Sequence, residues 1–188
     1  MTMRNSVYVA LSASICLTSG SATADLAGDY RLSMENQSGE RQHLAQVEIR
    51  QAEQGYSYWI DWLEAPFENH FLSMRPFKCL PHPQRMICRL PYPYEIKRRI
   101  TESDLTDLEY DLLFLHKVPG EYGINAWNGL YYVLKMSDRG LVGELHETDL
   151  NVLQAPPEDG GLRPIDPMEI HPASDTLWPR RILLEPMP

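Results

Sequence analysis

The chain has 188 residues, of which 43% are hydrophobic and 23% are charged. These proportions are typical of one globular domain and exclude a disordered chain. A formal net charge of −9 argues against a nucleic-acid-binding surface over the whole chain, while ten tyrosines and four tryptophans favour β-strands.

The first 24 residues have the pattern of an export signal. Arg4 supplies a positive start, residues 7–17 form a short apolar stretch, and residues 22–24 (Ala-Thr-Ala) fit the small-x-small cleavage rule. We therefore expect residues 1–24 to be a cleaved signal peptide and the mature chain to be periplasmic or secreted, in a bacterium. An uncleaved N-terminal anchor is the alternative. The apolar stretch is too short to span a bilayer, so we expect no membrane-spanning segment.

Cysteine usage agrees with export. Cys16 lies within the expected signal, which leaves Cys79 and Cys88 in the mature chain. Two cysteines in an oxidising compartment are most simply one disulfide. Residues 71–99 are therefore predicted to contain a disulfide-stapled hairpin whose connection is broken by prolines.

The remaining segments in chain order predict short antiparallel strands. Alternating apolar and polar residues indicate half-buried strands, and a continuous apolar run indicates a strand that is covered on both faces. Besides the two arms of the hairpin, strands are predicted at 25–35, 43–51, 56–62, 108–117, 122–127, 130–136 and 141–147, with shorter ones at 150–153 and 181–184.

Three turns complete this pattern. Asn128-Gly129 is the preferred pair for a tight two-residue turn, here between strands 122–127 and 130–136. Residues 137–140 predict a second turn, and residues 101–105 a single helical turn. We expect a β domain at 25–154, followed at 155–188 by a proline-rich tail that packs on it.

About nine strands with tight turns and little helix predict a mainly β fold, as a single antiparallel β-barrel or sandwich. Residues 26–30 (LAGDY) resemble the opening Gly-x-Trp strand of lipocalin-like barrels, with tyrosine in place of tryptophan; this resemblance favours a lipocalin-like barrel. FLSMRPFKCL, LPYPYE, LTDLEYDLLF and EYGINAWNGLYY are similar to a group of uncharacterised secreted bacterial proteins, a resemblance that implies no assigned activity.

Motifs for catalysis or metal binding are missing from the sequence. The six histidines have no paired i, i+2 or i, i+4 spacing, and neither a nucleophile elbow nor a phosphate-binding glycine loop is present. We therefore predict no metal, no cofactor and no catalytic residue. If the chain is nevertheless an enzyme, an envelope hydrolase with an unidentified active site, His116 or His146 is the default base.

A stretch rich in basic residues extends from Arg75 to Arg99, with Glu95 as its one acid, and precedes the acidic run at 102–111. Its bases and the tyrosines among them could bind an anionic or lipid-like ligand, or the acidic surface of a partner. The alternative is that the bases only neutralise the acidic run. The candidate binding residues are Arg89, Tyr92, Tyr94, Lys97, Arg98 and Arg99.

A second candidate set is aromatic, and its members either line an internal cavity or form an ordinary core. It consists of Tyr56, Tyr58, Trp62, Trp127, Tyr131 and Tyr132. Together these observations predict an exported, non-catalytic and monomeric binding module, whose partner is a small ligand or an envelope protein.

Overall fold

The computed structural model describes residues 25–72, 76–157, 161–174 and 179–188. The expected signal peptide, including Cys16, lies outside the described residues. The strands are β1 (Gly28–Glu35), β2 (Arg41–Gln51), β3 (Tyr56–Trp62), β4 (Glu68–Phe71), β5 (Pro76–Leu80), β6 (Met86–Arg89), β7 (Arg99–Ile100), β8 (Phe114–Lys117), β9 (Gly129–Ser137), β10 (Gly140–Thr148), β11 (His171–Pro172) and β12 (Arg181–Pro186). The helices are α1 (Thr106–Asp111) and three short 3₁₀ turns, η1 (Ala126–Asn128), η2 (Leu150–Leu153) and η3 (Pro167–Glu169).

These strands form one antiparallel sheet, which confirms the prediction of a mainly β fold with little helix. The order across the sheet is β4-β5-β6-β8-β9-β10-β12-β1-β2-β3-β7, and β11 pairs with β10. The described residues form twelve strands, more than the nine or so expected, and two of them, β7 and β11, are only two residues long. Among the described residues no ladder joins β4 to β3 or β7, so a closed barrel stays a prediction.

One face of the sheet encloses the main core. The alternation that predicted the first three strands is observed, with every second side chain of β1 and β2 buried there. Strand β12 lies between β10 and β1 and confirms the expected last strand. Buried members of the main core include Tyr30, Leu32, Met34, Val47, Ile49, Tyr58, Phe114, Tyr132, Ile182 and Leu184.

The strands β5, β6, β8 and β9 are covered on both faces. Consecutive residues, such as Phe114 and Leu115, enter opposite cores, the first the main core and the second an outer core. This outer core is covered by the segment after β6 and by the segment after β10. Its buried members are Leu72, Phe77, Cys79, Met86, Cys88, Tyr110, Leu113, Leu115, Tyr131, Leu150, Leu153 and Ile165.

The disulfide-stapled hairpin is confirmed. Cys79 of β5 lies directly opposite Cys88 of β6, and the two sulfurs are bonded. Both cysteines are completely buried in the outer core. The cross-link therefore joins the two strands whose open ends border the site described below.

The predicted strand at 108–117 is wrong in its first half, where the structure has α1. Leu108 and Leu112 enter the main core, while Tyr110 and Leu113 enter the outer core. A segment that is buried all round shows no period that separates a helix from a strand. The helical turn expected at 101–105 is instead a turn closed by a bridge between Thr101 and Asp104.

The Asn128-Gly129 hairpin is also wrong, because η1 and not a strand precedes Gly129. The Asn125 side chain accepts a hydrogen bond from the Trp127 backbone N–H at 3.1 Å and so caps η1. Glycine is required at 129 for close packing, since a Cβ there would lie 2.4 Å from Leu150 Cγ. The turn at 137–140 between β9 and β10 is confirmed.

Residues 150–153 form η2 and not the expected strand. The Asp149 side chain accepts a hydrogen bond from the Asn151 N–H at 2.8 Å, which starts the 3₁₀ turn. Because η2 packs on Gly129, it stands beside η1 over the outer core. None of the helices in the described ranges is long and apolar enough to cross a membrane.

Candidate functional site

The six candidate binding residues do not converge on one site. Tyr92 and Tyr94 pack edge-to-face against each other beside the outer core, with ring centroids 5.6 Å apart. The Tyr94 hydroxyl donates to the Leu153 carbonyl at 2.8 Å, and the Tyr92 hydroxyl donates to the Leu162 carbonyl. Both tyrosines thus anchor the segment that follows β10.

Arg98 neutralises one acid of the acidic run, as the alternative interpretation predicted. Its Nε donates to Asp111 Oδ2 at 3.1 Å, and the Tyr58 hydroxyl donates to the same oxygen at 2.9 Å. The guanidinium also lies over the Trp59 ring, 5.1 Å from its centroid. Burial, reinforced by the Asp111 charge, raises the Tyr58 pKa above its ordinary value, so the phenol remains a donor to this carboxylate.

Two other acids of the run pair with Arg163, a residue that the sequence analysis missed. Its guanidinium binds Asp104 at 2.8 Å and Asp107 Oδ1 at 2.5 Å. The Asp107 side chain is only 6% exposed, and its second oxygen accepts a hydrogen bond from the Arg99 backbone N–H at 3.0 Å. Arg163 follows Asp107 by more than fifty residues, so no local pattern indicates the pair.

Lys97 and Arg99 present exposed side chains that have no ion pair within the described ranges. They border a polar cleft of about 540 Å³. The described lining of this cleft contains three cations and three acids, so the cleft has no net preference for an anion. Its lining residues are Glu53, Gln54, Lys97, Arg99, Ile100, Thr101, Asp104, Asp107 and Arg163.

Glu109 is a buried acid whose two oxygens both hold structure together. One oxygen accepts a hydrogen bond from the Tyr131 hydroxyl at 2.5 Å, and the other accepts a hydrogen bond from the Leu134 backbone N–H at 2.7 Å. Leu134 lies on the edge of β9 beyond the end of its ladder with β8, so Glu109 replaces a missing strand partner there. Burial raises the pKa of this carboxyl above its ordinary value, although the two hydrogen bonds counteract the shift.

The two histidines proposed as a default base lie in separate places. His146 Nδ1 is 2.9 Å from the Glu144 carbonyl oxygen, on its own strand. Burial, together with the nearby Arg85 charge, lowers the pKa of His116. Neither histidine is hydrogen-bonded to a carboxylate or hydroxyl side chain of the described residues. In the same part of the chain, no three His, Cys, Asp or Glu side chains are grouped to hold a metal ion.

A concave surface that the sequence did not indicate lies over the outer core. This apolar groove has a volume of about 540 Å³ and is open on one side. Phe77 of β5 and Leu115 of β8 lie in its floor, and the segment after β6, η1 and η2 form its walls. The lining residues are Phe77, Leu90, Pro91, Pro93, Leu115, Ile124, Asn125, Ala126, Trp127, Leu150, Asn151, Leu153 and Gln154.

No charged side chain is among the described residues that line the apolar groove. The three polar members of this lining are amides, and two of them bond each other, since Gln154 Nε2 donates to Asn151 Oδ1 at 2.5 Å. Trp127 lines the groove and is 71% exposed, and Ile124 beside it is 40% exposed. Large apolar side chains left in water at the edge of a concave surface are typical of a binding site.

The aromatic set predicted from the sequence is therefore divided. Only Trp127 lines the apolar groove. The four tyrosines Tyr56, Tyr58, Tyr131 and Tyr132 are buried in the two cores, and Trp62 packs edge-to-face on Phe114 with centroids 6.1 Å apart. For these residues the ordinary core interpretation is correct.

A small cavity of about 120 Å³ adjoins the apolar groove at the open end of the disulfide hairpin. Phe77, Leu90 and Pro91 line both spaces. The small cavity is otherwise lined by Pro76, Lys78 and Arg89.

The two cations of the small cavity have different environments. The Arg89 guanidinium stacks on Trp62, 3.5 Å from the ring centroid, and burial lowers its pKa to about 10. Arg89 has no hydrogen bond or ion pair to any described residue. Lys78 Nζ is 2.5 Å from Glu64 Oε2, whose side chain is 88% exposed.

Comparisons of the chain with protein-family models, with curated proteins and with solved structures each find no match. The function is therefore inferred from the geometry and chemistry of the site.

Proposed function

We propose that this chain is an exported, non-catalytic binding module whose apolar groove holds a lipid-like small ligand. One observation supports this most strongly, the half-open groove of about 540 Å³ with exposed Trp127 at its edge. Its volume falls within the range of about 300–1,000 Å³ that is usual for small-molecule sites.

The lining favours an apolar ligand over a polar one. Without a charged side chain, the groove offers no counter-ion to a charged group placed inside it. Asn151 and Gln154 are hydrogen-bonded to each other. A sugar or another strongly hydrated ligand would exchange most of its bonds to water for contact with a mainly apolar lining.

The shape favours a small ligand over a flat protein partner. A half-open groove lets a narrow chain bury one side against its lining, whereas a flat partner would cover only the rim. The exposed Trp127 ring then becomes one face of the ligand site.

The Cys79–Cys88 disulfide supports the proposal of export. Disulfides persist in oxidising compartments, and the Cys79–Cys88 bond lies in the part of the chain expected after signal cleavage. Amino-terminal sequencing of the protein recovered from the envelope of its source cell should begin at Asp25. A mature protein that begins at Met1 would contradict signal cleavage.

The groove is tested with a neutral apolar fluorophore, N-phenyl-1-naphthylamine, titrated into the purified mature protein. A ligand that covers ~100 Å² of the Trp127 ring gains roughly 2.5 kcal/mol at 25 cal/mol per Å². Allowing for incomplete contact, Trp127→Ala should weaken binding at least tenfold. The matched control is Trp59→Ala, since Trp59 is also 59% exposed but lies outside the groove.

Native mass spectrometry of protein purified from its own envelope gives a second, independent measurement. We expect a retained ligand that Trp127→Ala loses and Trp59→Ala keeps. Equal fluorophore affinity in both variants, or no binding by the wild type, would refute the groove as the ligand site.

A further inference from the structure

The β8–β9 loop, residues 118–128, exposes apolar side chains beyond those that line the apolar groove. Its sequence, VPGEYGINAWN, contains one charged residue, Glu121. Two of its exposed side chains, Ile124 and Trp127, line the groove, and two others do not. The exposed fractions are 54% for Val118, 95% for Tyr122, 40% for Ile124 and 71% for Trp127. Large apolar side chains that lie in water so close together in the chain indicate a contact surface.

Lys117 fastens the β8–β9 loop to the end of β8. This lysine is only 3% exposed, and its ammonium donates to the Glu121 carbonyl and, at 2.9 Å, to the Gly123 carbonyl. The Glu121 backbone N–H donates to the Val118 carbonyl at 3.2 Å, which closes a turn at the start of the loop. The backbone on both sides of Tyr122 is therefore anchored, while the Tyr122 side chain itself lies in water.

The two exposed aromatic residues of the loop suit the interface of a membrane. Tyrosine and tryptophan combine an apolar ring with a polar tip, and in membrane proteins they are enriched at the depth of the lipid head groups. Neither the Tyr122 hydroxyl nor the Trp127 indole N–H is hydrogen-bonded to a described residue. At a lipid surface the rings would contact acyl chains, while these two polar groups would bind water or lipid oxygens.

The patch is small for a stable protein partner. Its four exposed side chains present on the order of 500 Å², against ~800 Å² per partner in a standard protein–protein interface. A bilayer sets no such minimum, because binding at its surface scales with the apolar area that is inserted. The patch is also continuous with the proposed ligand site, since Ile124 and Trp127 belong to both.

We propose that the β8–β9 loop inserts into the head-group region of a phospholipid bilayer and that the apolar groove takes up its ligand there. Insertion of Ile124 and Trp127 brings the edge of the groove to the lipid, so an apolar ligand need not cross water. With a net charge of −9, the chain is not drawn to anionic lipid by its overall charge. This assignment rests on the proposed lipid-like ligand and names the surface that supplies it.

The test is co-sedimentation of the purified mature protein with vesicles of pure phosphatidylcholine. Tyr122→Ala should weaken vesicle binding at least threefold and, without vesicles, keep the affinity for N-phenyl-1-naphthylamine within twofold of the wild type. Tyr122 lies outside the groove lining and is almost fully exposed, so this variant should fold normally. Trp127→Ala should weaken both kinds of binding. The matched control is Trp59→Ala, which removes an exposed aromatic ring of β3 and should change neither.

Fluorescence quenching locates the loop in the bilayer. Phosphatidylcholine that carries bromine on its acyl chains close to the ester groups quenches tryptophans that enter the head-group region. Wild-type emission should fall on such vesicles. Trp127→Phe should lose most of this quenching, whereas Trp59→Phe should retain it. Equal quenching in the two variants would contradict insertion of the loop.

Lipid composition separates insertion from attraction between charges. An equal mixture of phosphatidylcholine and phosphatidylglycerol, or added salt, should change the affinity less than threefold. Binding that requires phosphatidylglycerol and is lost in high salt would assign the contact to exposed bases such as Lys97 and Arg99, and would refute docking through the loop.

The remaining outcomes separate docking from the groove. If the fluorophore binds the wild type but vesicles do not, or if Tyr122→Ala binds vesicles as the wild type does, docking is refuted and the groove remains. Self-association that Tyr122→Ala abolishes, without vesicle binding, would make the patch a contact between copies and overturn the bilayer assignment. If the fluorophore fails to bind the wild type, the proposed function itself is refuted.

Discussion

The disulfide between β5 and β6 should account for a large part of the stability of the fold. On the chain-entropy model, cross-linking Cys79 to Cys88 removes freedom from an unfolded loop of about ten residues, which is worth about 2.7 kcal/mol at 25 °C. Typical domains are stable by only ~5–15 kcal/mol. Loss of the cross-link is therefore expected to shift unfolding to clearly lower denaturant.

Two perturbations separate the cross-link from the packing of the sulfurs. Protein refolded in reductant keeps both buried side chains and loses only the bond, whereas Cys79→Ala/Cys88→Ala also leaves two small cavities in the outer core. Each lost sulfur should cost about 1 kcal/mol more, by analogy with the removal of one buried methyl group. The expected order of stability is oxidised wild type, reduced wild type, then the double variant.

The assay is urea unfolding followed by circular dichroism, with equal slopes required for a valid comparison. A difference below about 1 kcal/mol between oxidised and reduced wild type would refute the loop-entropy account of this staple. Thiol titration of the denatured, unreduced mature protein should find no free cysteine.

Three other side chains give shorter predictions. Arg163→Met should destabilise the fold by about 2–4 kcal/mol, because it leaves buried Asp107 without its cation, and adding Asp107→Asn should restore part of the loss in urea unfolding. Arg98→Gln should lower the free energy of unfolding by about 0.5–1 kcal/mol, because it removes the half-buried ion pair with Asp111, while Lys97→Gln should not change it. Equal effects of the two substitutions would contradict the pairing. Because the folded state raises the Glu109 pKa, this residue's contribution to stability should fall as pH rises from the unfolded glutamate value towards the raised one. The urea midpoint of the wild type minus that of Glu109→Gln should therefore fall as pH rises from 4 to 8.

Where local pattern decides the structure, the sequence predicted it well. Strands β1 and β2 alternate with period two because one side faces the main core and the other faces water. The pairing of Cys79 with Cys88 followed from counting cysteines in an oxidising compartment. Both inferences needed no knowledge of distant contacts.

Where burial is uniform or contacts are distant, prediction from sequence failed. The segment containing α1 is buried on two sides, with Leu108 in the main core and Tyr110 in the outer core, so its leucines fit a doubly covered strand as well as a helix. Asn128-Gly129 has the composition of a tight turn, but Gly129 serves close packing against Leu150. Tertiary contact, invisible in the local sequence, decides both cases.

The candidate site was hidden for the same reason. Arg89 was named from the basic stretch, but its stacking on Trp62 joins residues from strands far apart in the chain. The apolar groove combines the segment after β6 with η1 and η2, two short turns that the sequence predicted as strands. Only the folded chain brings these three pieces together.

The position of β12 has a consequence for the order in which the fold can be completed. Residues 181–186 fill the slot between β10 and β1, and no described ladder joins β10 to β1 directly. During synthesis, β1 and β10 are therefore made before β12, the strand that joins them. The sheet becomes continuous only after β12 has paired with both. Pairing across so many residues is slow, since the loop must close before its contacts form. A chain built in this way cannot complete its sheet before residues 181–186 are available to pair with both neighbouring strands.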